Sequence, residues 1–343
     1  MIGSKTNSFY TFEQMVTTLQ LKMLAGLFLL LLTSTNGFAQ EMPSREENID
    51  YLVTFGKEAP TGWGDDDHTQ IFFFVVPKTH ENPVYIRVFD PDVGGKNDQA
   101  NQGFNSKTRF AVYGGTDAFS DKDARGLQPT GNYKSGSLLA SQTFGVQPSV
   151  DNNWYTFGPF NPVEGEYVEF LDGYVFKMIT EGLSGDDGNL YRYFLSEEGE
   201  RNVAPEGGNG FTYEYSFRLN SQKGSVAQIY PFVDGNVVSI RQNNFDFDND
   251  GSIRLYSVAK NGHRMVASAD GNWGKSDHMV VDAEKGKSLN IQIVKGGTFD
   301  NDMVYYVTNQ YEEPLPFFAI PIGGSPKYKY DIEIKIDIDT DTH

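Results

Sequence analysis

The chain has 343 residues, 36 of them glycine and none cysteine, is 14% aromatic and carries a formal net charge of −18. Without cysteine it can form no disulfide, no zinc–thiolate centre, no thiol nucleophile and no acylated-cysteine lipid anchor. The acidic excess repels nucleic acid and anionic lipid, and suits divalent cations or cationic partners.

The first element is a leader. Lys22 precedes the apolar run Leu24–Leu32, polar residues follow, and Gly37-Phe38-Ala39 sets small residues at the positions that a signal peptidase reads before Gln40. The run is too short to span a bilayer, so residues 1–39 read as a secretory signal peptide. No later stretch resembles a membrane helix.

From Asn48 onward the pattern is one of short strands and turns, with no amphipathic helix. Ile71–Val76 is an unbroken apolar run closed by Pro77, the form of a strand buried on both faces. Val84–Phe89 is a second strand, and Tyr213–Leu219 alternates apolar with polar residues. Ile332, Ile334, Ile336 and Ile338 alternate with charged residues, which describes a strand with one buried face.

The two halves repeat one another. Asp151-Asn152-Asn153-Trp154 resembles Asp270-Gly271-Asn272-Trp273, and Gly136-Ser137-Leu138 resembles Gly251-Ser252-Ile253. Gly182, Asp186 and Tyr191 match Gly296, Asp300 and Tyr305, and Tyr213–Leu219 matches Tyr330–Ile336. Four matches in one order indicate duplication. The expected fold is all-β: two tandem related β-sandwich domains of jelly-roll or immunoglobulin-like kind, over residues 48–220 and 226–339, joined by the polar linker Ser221–Ser225. A small barrel is the alternative.

Asp246-Phe247-Asp248-Asn249-Asp250-Gly251 is the strongest candidate site. Alternating carboxylates converge on one cation, and glycine permits the sharp turn of a calcium loop. Position twelve is Ser257 rather than glutamate, so the remaining ligands must come from another loop, with Asp300 and Asp302 as candidates. The first half offers a parallel set. Asp90, Asp92 and Asp98 follow a strand, and Asp186 and Asp187 stand where the repeat puts Asp300. The competing reading is that Asp, Asn and Gly are what β-turns prefer. Trp63-Gly-x-x-Asp67-His68 and Trp273-Gly-x-x-Asp277-His278 share a pattern, which reads as a turn closed by hydrogen bonds, as a metal-ligand pair or as an acid/base pair.

Serine-hydrolase, zinc-protease and phosphate-loop motifs are absent, and only five histidines exist. The expected function is therefore a secreted, periplasmic or cell-surface binding or structural module with calcium-stiffened loops, without catalysis. Its partners would be a surface protein or a polysaccharide. The alternatives are a carbohydrate-binding protein accessory to polysaccharide breakdown and a secreted hydrolase using paired carboxylates.

Overall fold

Sixteen strands carry the architecture of the computed structural model, which describes residues 41–323. The expected leader and the strand expected over residues 332–338 lie outside that range. In chain order the first eight are Tyr51–Phe55 (β1), Thr69–Pro77 (β2), Val84–Phe89 (β3), Lys107–Gly114 (β4), Ser137–Phe144 (β5), Trp154–Phe160 (β6), Gly173–Ser184 (β7) and Gly188–Ser196 (β8). The second eight are Glu214–Leu219 (β9), Val226–Ile229 (β10), Ser239–Phe245 (β11), Gly251–Tyr256 (β12), Asn261–Met265 (β13), Trp273–Met279 (β14), Asn290–Lys295 (β15) and Asn301–Asn309 (β16). Shorter strands add to these sheets or pair with one another. The described residues contain no α-helix, only short 3₁₀ turns, so the protein is all-β, and none of its helical turns is long and apolar enough to cross a membrane.

All the pairings are antiparallel. One large sheet runs β14-β11-β16-β9-β1-β8-β3-β6. It crosses the middle of the chain where β9 pairs with β1 through Phe217↔Leu52. A second sheet contains β2-β7-β4-β5, and a third runs β10-β15-β12-β13.

The β2 run shows why the layers stack. Phe72, Phe74 and Val76 enter the main core with Tyr191, Tyr193 and Phe176. Ile71, Phe73 and Val75 enter a second cluster with Phe119, Phe211 and Phe318. Side chains on a strand alternate between faces, so a strand apolar at every position must be covered on both. The main core continues without a break into Ile253, Leu255, Ile291, Ile293 and Tyr305 of the second half.

One buried acid gives this core a pH dependence. Glu47 is wholly buried, accepting a hydrogen bond from Ser44 N–H and another from the Tyr215 hydroxyl at 2.8 Å. Desolvation outweighs both donors and raises its pKa to about 7. The folded state therefore holds a proton that the unfolded chain releases near 4.5. Stability from this group is full below about 4.5 and is lost as pH rises through about 7. The loss is on the order of 3 kcal/mol. Glu47→Gln keeps one acceptor and one donor but cannot ionise. In urea titrations its stability relative to wild type should rise by that amount between pH 4 and 8. Parallel pH profiles for the two proteins would rule the assignment out.

Candidate metal centres

Two loops with the same construction follow β3 and β11. In each, the strand ends on a phenylalanine paired with a tryptophan that opens another strand: Phe89↔Trp154 and Phe245↔Trp273. The rings touch, with centroids 5.4 Å and 5.1 Å apart. The next residue is an aspartate in the left-handed region, Asp90 at φ 57° and Asp246 at φ 61°. Its Oδ1 accepts a backbone N–H from the facing loop at 2.7 Å, from Asn152 in one case and Gly271 in the other. Both donors are themselves left-handed, at φ 55° and 59°.

Each loop gathers three carboxylates. Asp90, Asp92 and Asp151 form one group and Asp246, Asp248 and Asp270 the other, with one oxygen from each residue lying within 4.8 Å of the others. The third member of each comes from the Asp-x-Asn-Trp segment before β6 or β14. Opposite each group stands an asparagine on the neighbouring strand. The Asn189 amide donates to the Pro91 carbonyl at 3.0 Å, and the Asn301 amide donates to Asp248 Oδ2 at 2.7 Å. Both asparagines are buried, and in both Oδ1 has no hydrogen-bond partner among the described residues. Asp92 repeats the theme: it is 1% exposed, Oδ2 accepts the Gln147 N–H, and Oδ1 is buried without a partner. Buried oxygens are otherwise almost always satisfied.

The electrostatics are those of acids held apart from water. Desolvation raises Asp92 and Asp246 to about 6, reinforced in Asp92 by Asp90 and Asp151, and in Asp246 by Asp248, Asp270 and Asp302. Burial also raises Asp90 and Asp248. A cation among these oxygens would reverse the effect, because it favours the ionised form.

The other acids singled out in the sequence have different surroundings. Asp250 pairs with Lys295 and accepts the Gly297 N–H. Asp302 forms a two-pronged ion pair with Arg218 at 2.8 and 2.6 Å, and Asp300 is exposed. Asp98 receives N–H groups from Gly94 and Leu190, both at 2.7 Å, and burial lifts it to about 8. Asp187 accepts three backbone N–H groups, from Asn101, Asn105 and Ser106. Burial opposes its ionisation, but those donors prevail and lower its pKa. Asp186 accepts from the Asn101 amide through Oδ2, while its Oδ1 is buried without a partner.

Sequence reasoning left Asp151, Asp270, Asn189 and Asn301 out of the candidate ligands. The Asp-x-Asn-Trp segments were visible as a repeat, and that was the available signal for Asp151 and Asp270. Of the shared Trp-Gly-x-x-Asp-His pattern, Asp277 pairs with Arg241 at the surface, while His278 is buried against Glu284 at 3.2 Å. Asp65, Asp66 and Asp67 form a third acidic group. No protein-family model and no curated protein sequence matches the chain.

Proposed function

We propose that this protein is a secreted or cell-surface, non-catalytic binding or structural module, made of two related jelly rolls that each carry a calcium site at the same corner. The duplication reading draws on strand order. β1-β8-β3-β6 with β2-β7-β4-β5 becomes β9-β16-β11-β14 with β10-β15-β12-β13 when eight is added to every number. That interleaving is the order of an eight-stranded jelly roll. In this correspondence β9 opens the second series, and the Asp151–Trp154 and Asp270–Trp273 segments lead into equivalent strands.

The observation that carries the metal reading is that two corners repeat the same carboxylate trio, the same left-handed aspartate and the same buried, unpartnered asparagine oxygen. Random turn chemistry has no reason to duplicate an unsatisfied buried acceptor. Oxygen-only donors on flexible loops suit calcium, while magnesium demands tighter octahedral geometry and zinc prefers nitrogen or sulfur. Asp90, Asp92, Asp151 and Asn189 would hold one ion, and Asp246, Asp248, Asp270 and Asn301 the other. Bound ions stiffen loops that have no disulfide to do so. Export draws on the leader in the sequence.

Thermal melting in calcium and in EDTA tests this. Each occupied site should add roughly 2.7 kcal/mol at a hundred times its dissociation constant. Two sites should raise the melting temperature on the order of 10 °C. Asp92→Asn with Asp248→Asn should remove most of that rise. Identical melting curves in calcium and EDTA would refute the reading.

A further inference from the structure

A cavity of about 630 Å³ lies where segments from both halves of the chain meet. Small-ligand sites span about 300 to 1,000 Å³. Its apolar surface belongs to a row of rings. Phe170, on the 3₁₀ turn Glu169–Leu171 before β7, lies 6.0 Å from Phe119, which lies 5.9 Å from Phe211. Phe211 lies 5.0 Å from Phe318, and Phe318 lies 6.0 Å from Phe232. All but Phe119 line the cavity, together with Tyr213. Sheet register holds the middle of the row, because Phe211 pairs with Phe318 on one side and with Phe73 of β2 on the other. At one end Phe170 stands 74% exposed. A fixed aromatic row open to water is the mark of a binding groove.

The polar lining carries both signs of charge. Lys122 and Arg125 come from the 3₁₀ turn after β4. Asp234 follows Phe232, and Glu312 and Glu313 lie in the turn after β16. Among the described residues no ion pair joins these cations to these acids. The Arg125 guanidinium lies 5.1 Å from the Phe119 centroid, and its Nε is buried without a hydrogen-bond partner.

This lining disfavours most ligand classes. An anion would face Asp234, Glu312 and Glu313, and a cation would face Lys122 and Arg125. A hydrocarbon would leave all five charges without partners as it displaced their water. A hydroxyl both donates and accepts, whereas a carboxylate only accepts and a guanidinium or ammonium only donates. A neutral ligand rich in hydroxyls therefore satisfies both signs at once, through charge-assisted hydrogen bonds. A sugar ring also presents a face of C–H bonds, which suits the negative face of an aromatic ring.

We propose that this groove binds a neutral oligosaccharide chain, its sugar faces laid on the Phe170–Phe232 row and its hydroxyls shared between Arg125 and Lys122 on one hand and Asp234, Glu312 and Glu313 on the other. The inference rests on the binding-module reading and supplies its ligand, but it shares no residue with the corner metal sites.

Native electrophoresis of the full chain through gels holding hydroxyethylcellulose, xylan or galactomannan tests it, with gels holding polygalacturonate or gelatin as controls. At least one neutral polysaccharide should retard the wild type, and Phe170→Ala with Phe232→Ala should weaken that retardation about tenfold or more. Phe170→Ala alone should weaken it too, with an unchanged melting temperature because the ring is exposed, and so covers a double variant that folds poorly. Arg125→Gln should weaken it without changing which polysaccharide is preferred. Retardation by none of the three neutral polysaccharides overturns the proposal, as does retardation that survives both aromatic variants. Retardation by polygalacturonate alone makes the groove an anion site, and by gelatin alone a peptide site; either result overturns it. A wild type that sediments as a dimer which Phe170→Ala dissociates puts a second copy in the groove and overturns it as well. Calcium-dependent melting without sugar retardation leaves the corner sites standing, and sugar retardation with identical melting curves in calcium and EDTA leaves the groove standing.

Discussion

Gly251→Ala should cost about 3 kcal/mol or more, among the largest effects of any single methyl group added to this protein. Gly251 sits at φ 132°, a conformation closed to other residues, and a Cβ built there would lie 1.9 Å from the Val294 carbonyl oxygen. That oxygen belongs to β15, which pairs with β12 from its first residue through Gly251↔Lys295. Neither strand can retreat, since Ile253 and Ile293 are fully buried behind them. The same residue ends the Asp246–Asp250 loop, so the variant should also lose the calcium response of the second corner. Urea denaturation in EDTA measures the first effect, and a loss below about 1 kcal/mol would show that the turn relaxes freely.

Arg218→Met should cost about 3 to 5 kcal/mol. Arg218 meets Asp302 through two hydrogen bonds and also donates to Gln99. Its side chain is 12% exposed and that of Asp302 is 7% exposed. Burial raises the Asp302 pKa, opposed by the guanidinium, so removing the cation leaves a carboxylate that must take up a proton or remain charged in a poor solvent. The pair also ties β9 to β16 in register, through Arg218↔Asp302. Adding Asp302→Leu to Arg218→Met should recover most of the loss, because the penalty belongs to the orphaned charge. If the double variant is no more stable than the single one, the pair's role is packing rather than charge compensation.

The strands were legible because period-two alternation and doubly buried runs are local properties. Ile71–Val76 announces its two covered faces by having no polar residue. The absence of α-helix beyond the leader could be read in the same way, and it holds among the described residues. Acidic loops after Phe89 and Phe245 were legible too, since aspartates separated by one residue and followed by glycine have a known turn chemistry. What surrounds those loops was not legible. Asp250 and Asp302 carry the same letters as Asp246 and Asp248, but Lys295 and Arg218 claim them across 45 and 84 residues of chain. Asp98 and Asp187 are taken up by backbone N–H groups far along the chain, Leu190 of β8 and Ser106 before β4. Asn189 and Asn301 look like ordinary strand residues until the fold sets them beside carboxylates with an oxygen to spare. Partnering is a property of three-dimensional neighbours, and one sequence does not encode it at short range.

The central claim is that two equivalent corners hold calcium. Crystals grown in calcium, with an anomalous difference map, test it most directly. The account predicts one peak among Asp90, Asp92, Asp151 and Asn189, and a second among Asp246, Asp248, Asp270 and Asn301, with the asparagine oxygens turned to the ions. A map with no peak at either corner, from crystals in which calcium saturates the solution, would contradict it.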